Sequence, residues 1–309
     1  MKPRFRSYDA GALSLPRRHQ LLLGAVSPRP IAFVSTVSAE GVRNLAPFSW
    51  FNVFSNRPPI VGFSPALRPQ DGSAKDTLRN VEAVPEAVVN IANYPMVQQM
   101  ALTSAPFAPD VDEFAKSGLT PLPSEVVRPA RVAESPVQLE CKVLDIIRFG
   151  DWGGAGNLIL AEVVRIHVHE SVFEDEEKGT LDPWKLDPIG RLGKIWYTRA
   201  REGLFQLPNP PSAQILGWEG LPEWIRRSDV LTGNDLAQLA QVTERPSLTE
   251  AKAWEGWEEV KVLLVEYEDD AALLRRKIQE LARRYLHQGR VREAWMVLEG
   301  YALRKGPER

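Results

Sequence analysis

The sequence predicts a mainly β N-terminal region followed by an α-helical C-terminal extension, and three observations carry that division. Runs rich in β-forming residues recur as far as His169. Beyond Ser247 the apolar residues fall instead at helical spacing. Proline is concentrated early: of 25 prolines only Pro222, Pro246 and Pro307 lie beyond Pro211, whereas five of the nine tryptophans do. The stretch Leu207–Gln214, "LPNPPSAQ", reads as an extended linker, because proline fixes φ and keeps its neighbours out of the helical region. The expected organisation is a β domain over residues 1–206, a linker over 207–214 and a helical extension over 215–309.

The β elements follow in order. Ile31–Thr36 is the first strand, "SAEG" (Ser38–Gly41) its turn, and Asn44–Phe54 an aromatic-rich continuation. Ile60–Phe63, Ala87–Ile91, Val137–Ile147 and Leu158–His169 are further strands, the last two joined by "GDWGGAGN" as a hairpin loop. Two short helices interrupt them. One opens at "GSAKDTLRNVEA", with Ser73 as N-cap and Asp76 as the capping-box acid; the other spans Pro95–Leu102. In the extension, Ser247 and Glu250 form a second capping-box pattern ahead of Trp257, Val260, Leu263, Leu264 and Tyr267. Asp270 caps a helix through Tyr285, Gly289 ends it, and Val291–Leu303 is its partner, giving one tetratricopeptide-like hairpin with no clear second copy.

Bulk properties narrow the function. With 309 residues, 44% of them hydrophobic, the chain can bury a full core. A net charge of -2 with interspersed signs makes nucleic acid or an anionic membrane an unexpected partner. Cys141 is the single cysteine, so an intrachain disulfide and a cysteine zinc cage are both excluded. The apolar run Leu21–Val26 is too short for a signal segment or a membrane span, so a cytoplasmic protein is expected. His167 and His169 share one strand face, but no third ligand stands near them in sequence and no metal site is expected.

Chemistry concentrates between Ser27 and Lys75. Arg29, Ser35, Thr36, Asn44, Ser49 and Ser64 recur where a plain buried hairpin has no need of polar groups, which suggests that they converge on a ligand. The helix start near Lys75 and Thr77 offers a cation, a hydroxyl and unpaired N–H groups, a set suited to a phosphate; an ordinary capped surface helix with a solvated lysine fits the same residues. Pro47 within a strand marks an edge, a bulge or a ligand alongside, and the amides near Asn44 and Ala46 would then be open to the rim of a flat heterocycle.

At this point the motifs "SPRPIAFVSTV", "NLAPFSWFN", "PPIVGFS", "KDTLRNV" and "VNI", followed by "LECKVLDI" and "GNLILAEVV", resemble the flavin reductase-like proteins of the FMN-binding split-barrel fold, flavoredoxins included. The likeness covers about residues 22–198. It implies a small Greek-key barrel, a homodimer, and FMN near the subunit interface. Carried over residue by residue, it implies that Arg29, Pro30, Ser35 and Thr36 line the phosphate and ribityl side. Asn44, Ala46, Pro47, Phe48 and Ser49 would border the ring, and Ser64, Lys75, Asp76 and Thr77 would complete the phosphate pocket. Where relatives often read Gly-Asp-His this chain has Gly150-Asp151-Trp152, which leaves Trp152 either to stack near a cofactor or to close the hairpin.

Three functions follow as expectations. The first is an FMN oxidoreductase taking hydride from NADH or NADPH and serving free flavin or a protein acceptor such as a monooxygenase component. The second is an FMN electron carrier reduced by a partner. The third is a dimeric scaffold for a helical interaction module with little turnover. A bound flavin spectrum separates the first two from the third, and NADH oxidation separates the first from the second.

Overall fold

The computed structural model describes residues 4–305 and divides into two compact units, one ending at Phe205 and the other beginning at Gln206. The strands of the first unit are β1 (Arg29–Pro30), β2 (Ala32–Val37), β3 (Arg43–Phe48), β4 (Phe51–Asn56), β5 (Pro59–Phe63), β6 (Glu86–Ile91) and β7 (Pro121–Leu122). They continue with β8 (Arg131–Val132), β9 (Val137–Arg148), β10 (Asn157–Val168), β11 (Phe173–Asp175), β12 (Thr180–Leu181), β13 (Ile189–Arg191) and β14 (Tyr197–Arg199). Its helices are α1 (Leu15–Ala25), α2 (Asp76–Ala83), α3 (Val97–Leu102), α4 (Glu113–Ser117) and α5 (Pro183–Leu186).

Seven strands form one antiparallel sheet in the order β3-β2-β6-β9-β10-β5-β4. Laid flat, its edge strands would stand ~29 Å apart at ~4.8 Å per step. Only Ser49 and Trp50 connect those edges, so the sheet has to curl until they meet. The expected single run Asn44–Phe54 therefore divides into β3 and β4 at this corner, where one strand leaves the edge and the next begins the opposite one.

Strand β2 is buried over its whole length. Ala32 and Val34 pack inward with Phe63, Val89 and Ile159, while Phe33 faces a second core with Met96, Met100 and Phe114. The two 12-residue strands β9 and β10 carry the register shifts that bend them around the barrel. Their loop packs hard on the chain after β5: a Cβ at Gly153 would lie 2.7 Å from the Pro69 carbonyl oxygen, a distance only glycine tolerates.

Helix α2 corrects one expectation. It begins at Asp76 with Lys75 as N-cap, and no side chain caps it. Ser73 is diverted into a turn, where its N–H and hydroxyl both donate to Asp71 Oδ1, at 2.9 and 2.7 Å.

The second unit is helical: α6 (Glu223–Arg226), α7 (Gly233–Ala240), α8 (Leu248–Lys252), α9 (Glu258–Glu266), α10 (Ala271–His287) and α11 (Val291–Lys305). Ser247 and Glu250 do form a reciprocal capping box, but α8 lasts five residues before a 3₁₀ turn over Ala253–Gly256. A second box, Thr232 with Asp235, starts α7. Asp270 caps α10, and Trp254, Ile278, Leu281, Trp295 and Leu298 form the centre of this unit's core. Among the described residues no helix is long and apolar enough to cross a membrane.

Candidate functional site

Two adjoining cavities lie where β3 ends and α2 begins. The first, about 410 Å³, is mainly apolar and is walled by Pro47, Phe48, Trp50, Leu67 and the start of α1. The second, about 400 Å³, is more polar, with a mixed lining, and reaches from Asn44 and Thr77 to the segment Thr103–Phe107 and Glu113. Pro47, Pro69 and Lys75 border both.

Nine of the thirteen expected residues line this pair. Pro47, Phe48, Ser49, Ser64 and Lys75 face the apolar cavity; Asn44, Ala46, Pro47, Lys75, Asp76 and Thr77 face the polar one. The remaining four, Arg29, Pro30, Ser35 and Thr36, line neither and have other work. Buried Arg29 donates to the carbonyls of Leu23 and Val26 at 2.7 Å each, to Leu192 at 3.1 Å, and to Ser49 Oγ at 3.4 Å. It is thus a clamp that fixes the end of α1 and touches the cleft only through Ser49. Burial, with repulsion from Arg191, lowers its pKa. Pro30 pairs with Gly190 in the small β1–β13 ladder. The Ser35 hydroxyl is taken by the Ala130 carbonyl, and Thr36 belongs to a buried network behind the cavity wall.

That network is continuous. Asn44 Oδ1 accepts from Thr77 Oγ1 at 2.8 Å and Thr36 Oγ1 at 3.2 Å, and Asn80 Nδ2 donates to Thr36 at 3.0 Å. On its other side Asn44 Nδ2 donates to Glu113 Oε1 at 3.1 Å, while Glu113 Oε2 accepts from the Leu45 amide at 3.0 Å. The outward amide of the edge strand is therefore that of Leu45. Alternation along an antiparallel strand turns Asn44 and Ala46 toward β2, so their amides are not open to a ligand as expected. Pro47 occupies the next outward position, where a missing donor leaves nothing unsatisfied.

Lys75 stands apart in this setting. Its ammonium lies 5.4 Å from the Phe48 ring centroid, and no hydrogen bond or carboxylate partner for it occurs among the described residues. Burial, reinforced by Arg68, lowers its pKa. The nearby Asp76 is already neutralised by Arg68, at 3.2 Å, and by Arg79. Across the apolar cavity, Ser64 Oγ is a buried hydroxyl with no partner. A cation without a hydrogen-bond or carboxylate partner and an unsatisfied hydroxyl, both lining one mainly apolar cleft, are what an anionic, hydrogen-bonding ligand with a flat apolar body requires.

Three features escaped the sequence reading. Helix α1 supplies Leu15, Pro16 and His19 to the apolar cavity, with the His19 ring 6.4 Å from that of Trp50. Its signal was Pro16 in the first helical turn after Ser14. Glu113 and Arg68 reach the polar cavity through folding alone, and nothing local marks them. Burial raises the Glu113 pKa, against the opposing hydrogen bonds from Leu45 and Asn44. Trp152 lines neither cavity and is exposed in the β9–β10 loop.

The chain belongs to the flavin reductase-like family: residues 24–186 match the flavin reductase like domain, and an uncharacterised protein of Halalkalibacterium halodurans is 40% identical over 205 residues, 66% of this chain and 96% of that one. Nitrilotriacetate monooxygenase component B from Bacillus cereus superposes with a TM-score of 0.62 at 34% identity, covering 67% of this chain and all of that one. The 2-nitrobenzoate 2-nitroreductase NbaA of Pseudomonas fluorescens gives 0.59 at 28% identity, covering 68% and 98%. The first unit, which contains the matched residues 24–186, is accordingly a split barrel of this family.

Proposed function

We propose that this chain is an FMN-binding oxidoreductase that takes hydride from NADH or NADPH and passes the electrons to free flavin or to a separate acceptor. The observation that carries the reading is that the Lys75 ammonium, which has no hydrogen-bond or carboxylate partner among the described residues, faces the same cavity as the unsatisfied Ser64 hydroxyl. Lys75 and Ser64 would hold the phosphate, with Thr77 at the same helix start. Pro47, Phe48, Ser49 and Trp50 would border the ring. Family membership and the likeness to a monooxygenase component and a nitroreductase support redox work with a separate acceptor.

Bound FMN would supply the hydride and electron chemistry. The residues need only bind, orient and shield. Phe48 and Leu67 would shield one wall, Lys75 would fix the anionic end, and the clamp from Arg29 to the end of α1 would hold the helix that supplies Leu15 and His19 to the cavity. No side chain has to exchange a proton with the donor. We also propose a homodimer, in which association would cover some of the large apolar side chains Val53, Phe54, Leu144, Phe149 and Ile166, each more than half exposed on the barrel.

The test is a visible spectrum followed by a turnover assay. The purified full chain should carry or take up FMN and oxidise NADH or NADPH. Bound FMN without oxidation of either would leave an electron carrier, and failure to bind any flavin would overturn the reading.

A further inference from the structure

We infer that Glu113 is a positioning residue that sets the site's selectivity for a phosphorylated flavin, an assignment that rests on the FMN reading above. Glu113 is 6% exposed and lies at the start of α4, far in sequence from Asn44, Lys75 and Thr77 across the cleft. Asp112 beside it pairs with Arg43 at 2.6 Å, so this short helix grips β3 at three consecutive residues, Arg43, Asn44 and Leu45.

The grip orients Asn44. An ionised carboxylate can only accept, so Glu113 requires the Asn44 amide to present its NH₂ group, and the amide oxygen must then face the other way. That oxygen receives both Thr77 and Thr36. Thr77 sits in the first turn of α2, two residues from Lys75, so the chain Glu113–Asn44–Thr77 sets where Lys75 emerges between the cavities. The apolar wall has a separate support. Phe48 and Pro47 are held by pairing with Ala32 and Phe33 and by the packing of Phe48 against Phe63. Loss of the Glu113 carboxylate should therefore misplace the cation and spare the ring wall.

The experiment titrates the full chain with FMN and with riboflavin, following flavin fluorescence, for the wild type, Glu113→Ala, Glu113→Gln and Thr77→Val. In Glu113→Ala the FMN-to-riboflavin affinity ratio should fall roughly tenfold or more while riboflavin affinity stays within about threefold. Thr77→Val should lower the ratio in the same direction. Glu113→Gln should keep most of it: the glutamine oxygen can still accept from Leu45, and its NH₂ can donate to a turned Asn44 amide, whose own NH₂ then meets hydroxyls able to accept. Equal loss of both flavins in Glu113→Ala overturns the assignment in favour of a purely structural role. An unmoved ratio in Thr77→Val overturns it too, which keeps the assignment open to refutation if Glu113→Ala does not fold. A wild type that binds riboflavin as tightly as FMN defeats the phosphate reading itself, a result distinct from a selective wild type whose variants stay selective.

Discussion

The Lys75 ammonium rests 5.4 Å from the Phe48 ring centroid, and no carboxylate or hydrogen-bond acceptor meets it among the described residues. A cation over an aromatic face is attracted by the ring quadrupole without giving up its charge to a carboxylate. The arrangement keeps the charge available at the junction of two cavities, one of which is also lined by the unsatisfied Ser64 hydroxyl.

Lys75→Ala should weaken FMN binding by ~1.5–3 kcal/mol, or roughly 10–100-fold, through the loss of a charge-assisted bond. Riboflavin binding should barely change. Calorimetric titration of both flavins checks this, and a parallel loss for the two would place the phosphate elsewhere.

The same residue predicts a pH dependence. Burial and Arg68 lower the Lys75 pKa from its usual 10.5, so the free site sheds its proton before an ordinary lysine would. FMN affinity should then decline with rising pH, beginning below pH 10.5, and the limb attributable to this residue should vanish in Lys75→Ala. A variant that retains the full alkaline decline would assign it to another group.

Much of the barrel was legible because its strands are local patterns. Ala32–Val37, Glu86–Ile91 and the β9–β10 pair are dense in β-formers and bounded by turn residues, and they form where expected within a few positions. The cleft was legible where one short motif supplies both shape and chemistry, as Asn44–Ser49 does. What stayed hidden depends on long-range pairing. Arg29 reads as a free phosphate ligand until α1 and Leu192 fold onto it and occupy its donors. Glu113 reads as one more surface acid in "DVDEF", since only the tertiary fold brings it to the outward amide of Leu45. Ser73 failed as a cap because Asp71, two residues earlier, offers its amide a closer acceptor.

Cys141 should be inert in the folded protein. It is fully buried, and burial pushes its thiol up to about 12, so almost no thiolate exists near neutral pH. Iodoacetamide at pH 8 should leave the native chain unmodified and alkylate it fully in urea, as read by intact mass. Rapid labelling of the native protein would mean that the strand carrying Cys141 opens readily.

We propose that the first unit folds without the second. The contacts divide between Phe205 and Gln206, and each side has its own buried core. A chain ending at Gln206 should be soluble, take up FMN and sediment at the same oligomeric state as the full barrel. Aggregation or loss of flavin in the shortened chain, with the full chain well behaved, would make the helical unit part of the folding unit.

Glu140 should prove the main anchor of the loop before β8. Its side chain is fully buried and accepts from the amides of Glu125, Val126 and Val127 at 2.8, 2.7 and 3.2 Å, and its Oε1 lies 2.6 Å from His167 Nε2. Burial alone would raise its pKa, but the bonds from Glu125, Val126 and His167 outweigh it and lower the value from 4.5. A carboxyl with a depressed folded pKa contributes stability that is present above its unfolded value and lost as pH falls through the folded one. Glu140→Ala leaves three amides and an imidazole without their acceptor, so barrel stability should drop by roughly 3 kcal/mol or more. Hydrogen exchange at residues 125–127 should accelerate in the variant at neutral pH, and the wild type should approach that behaviour only as the pH is lowered below 4.5. Unchanged exchange at these three amides would show that the loop is held by its packing and that the Glu140 bonds add little.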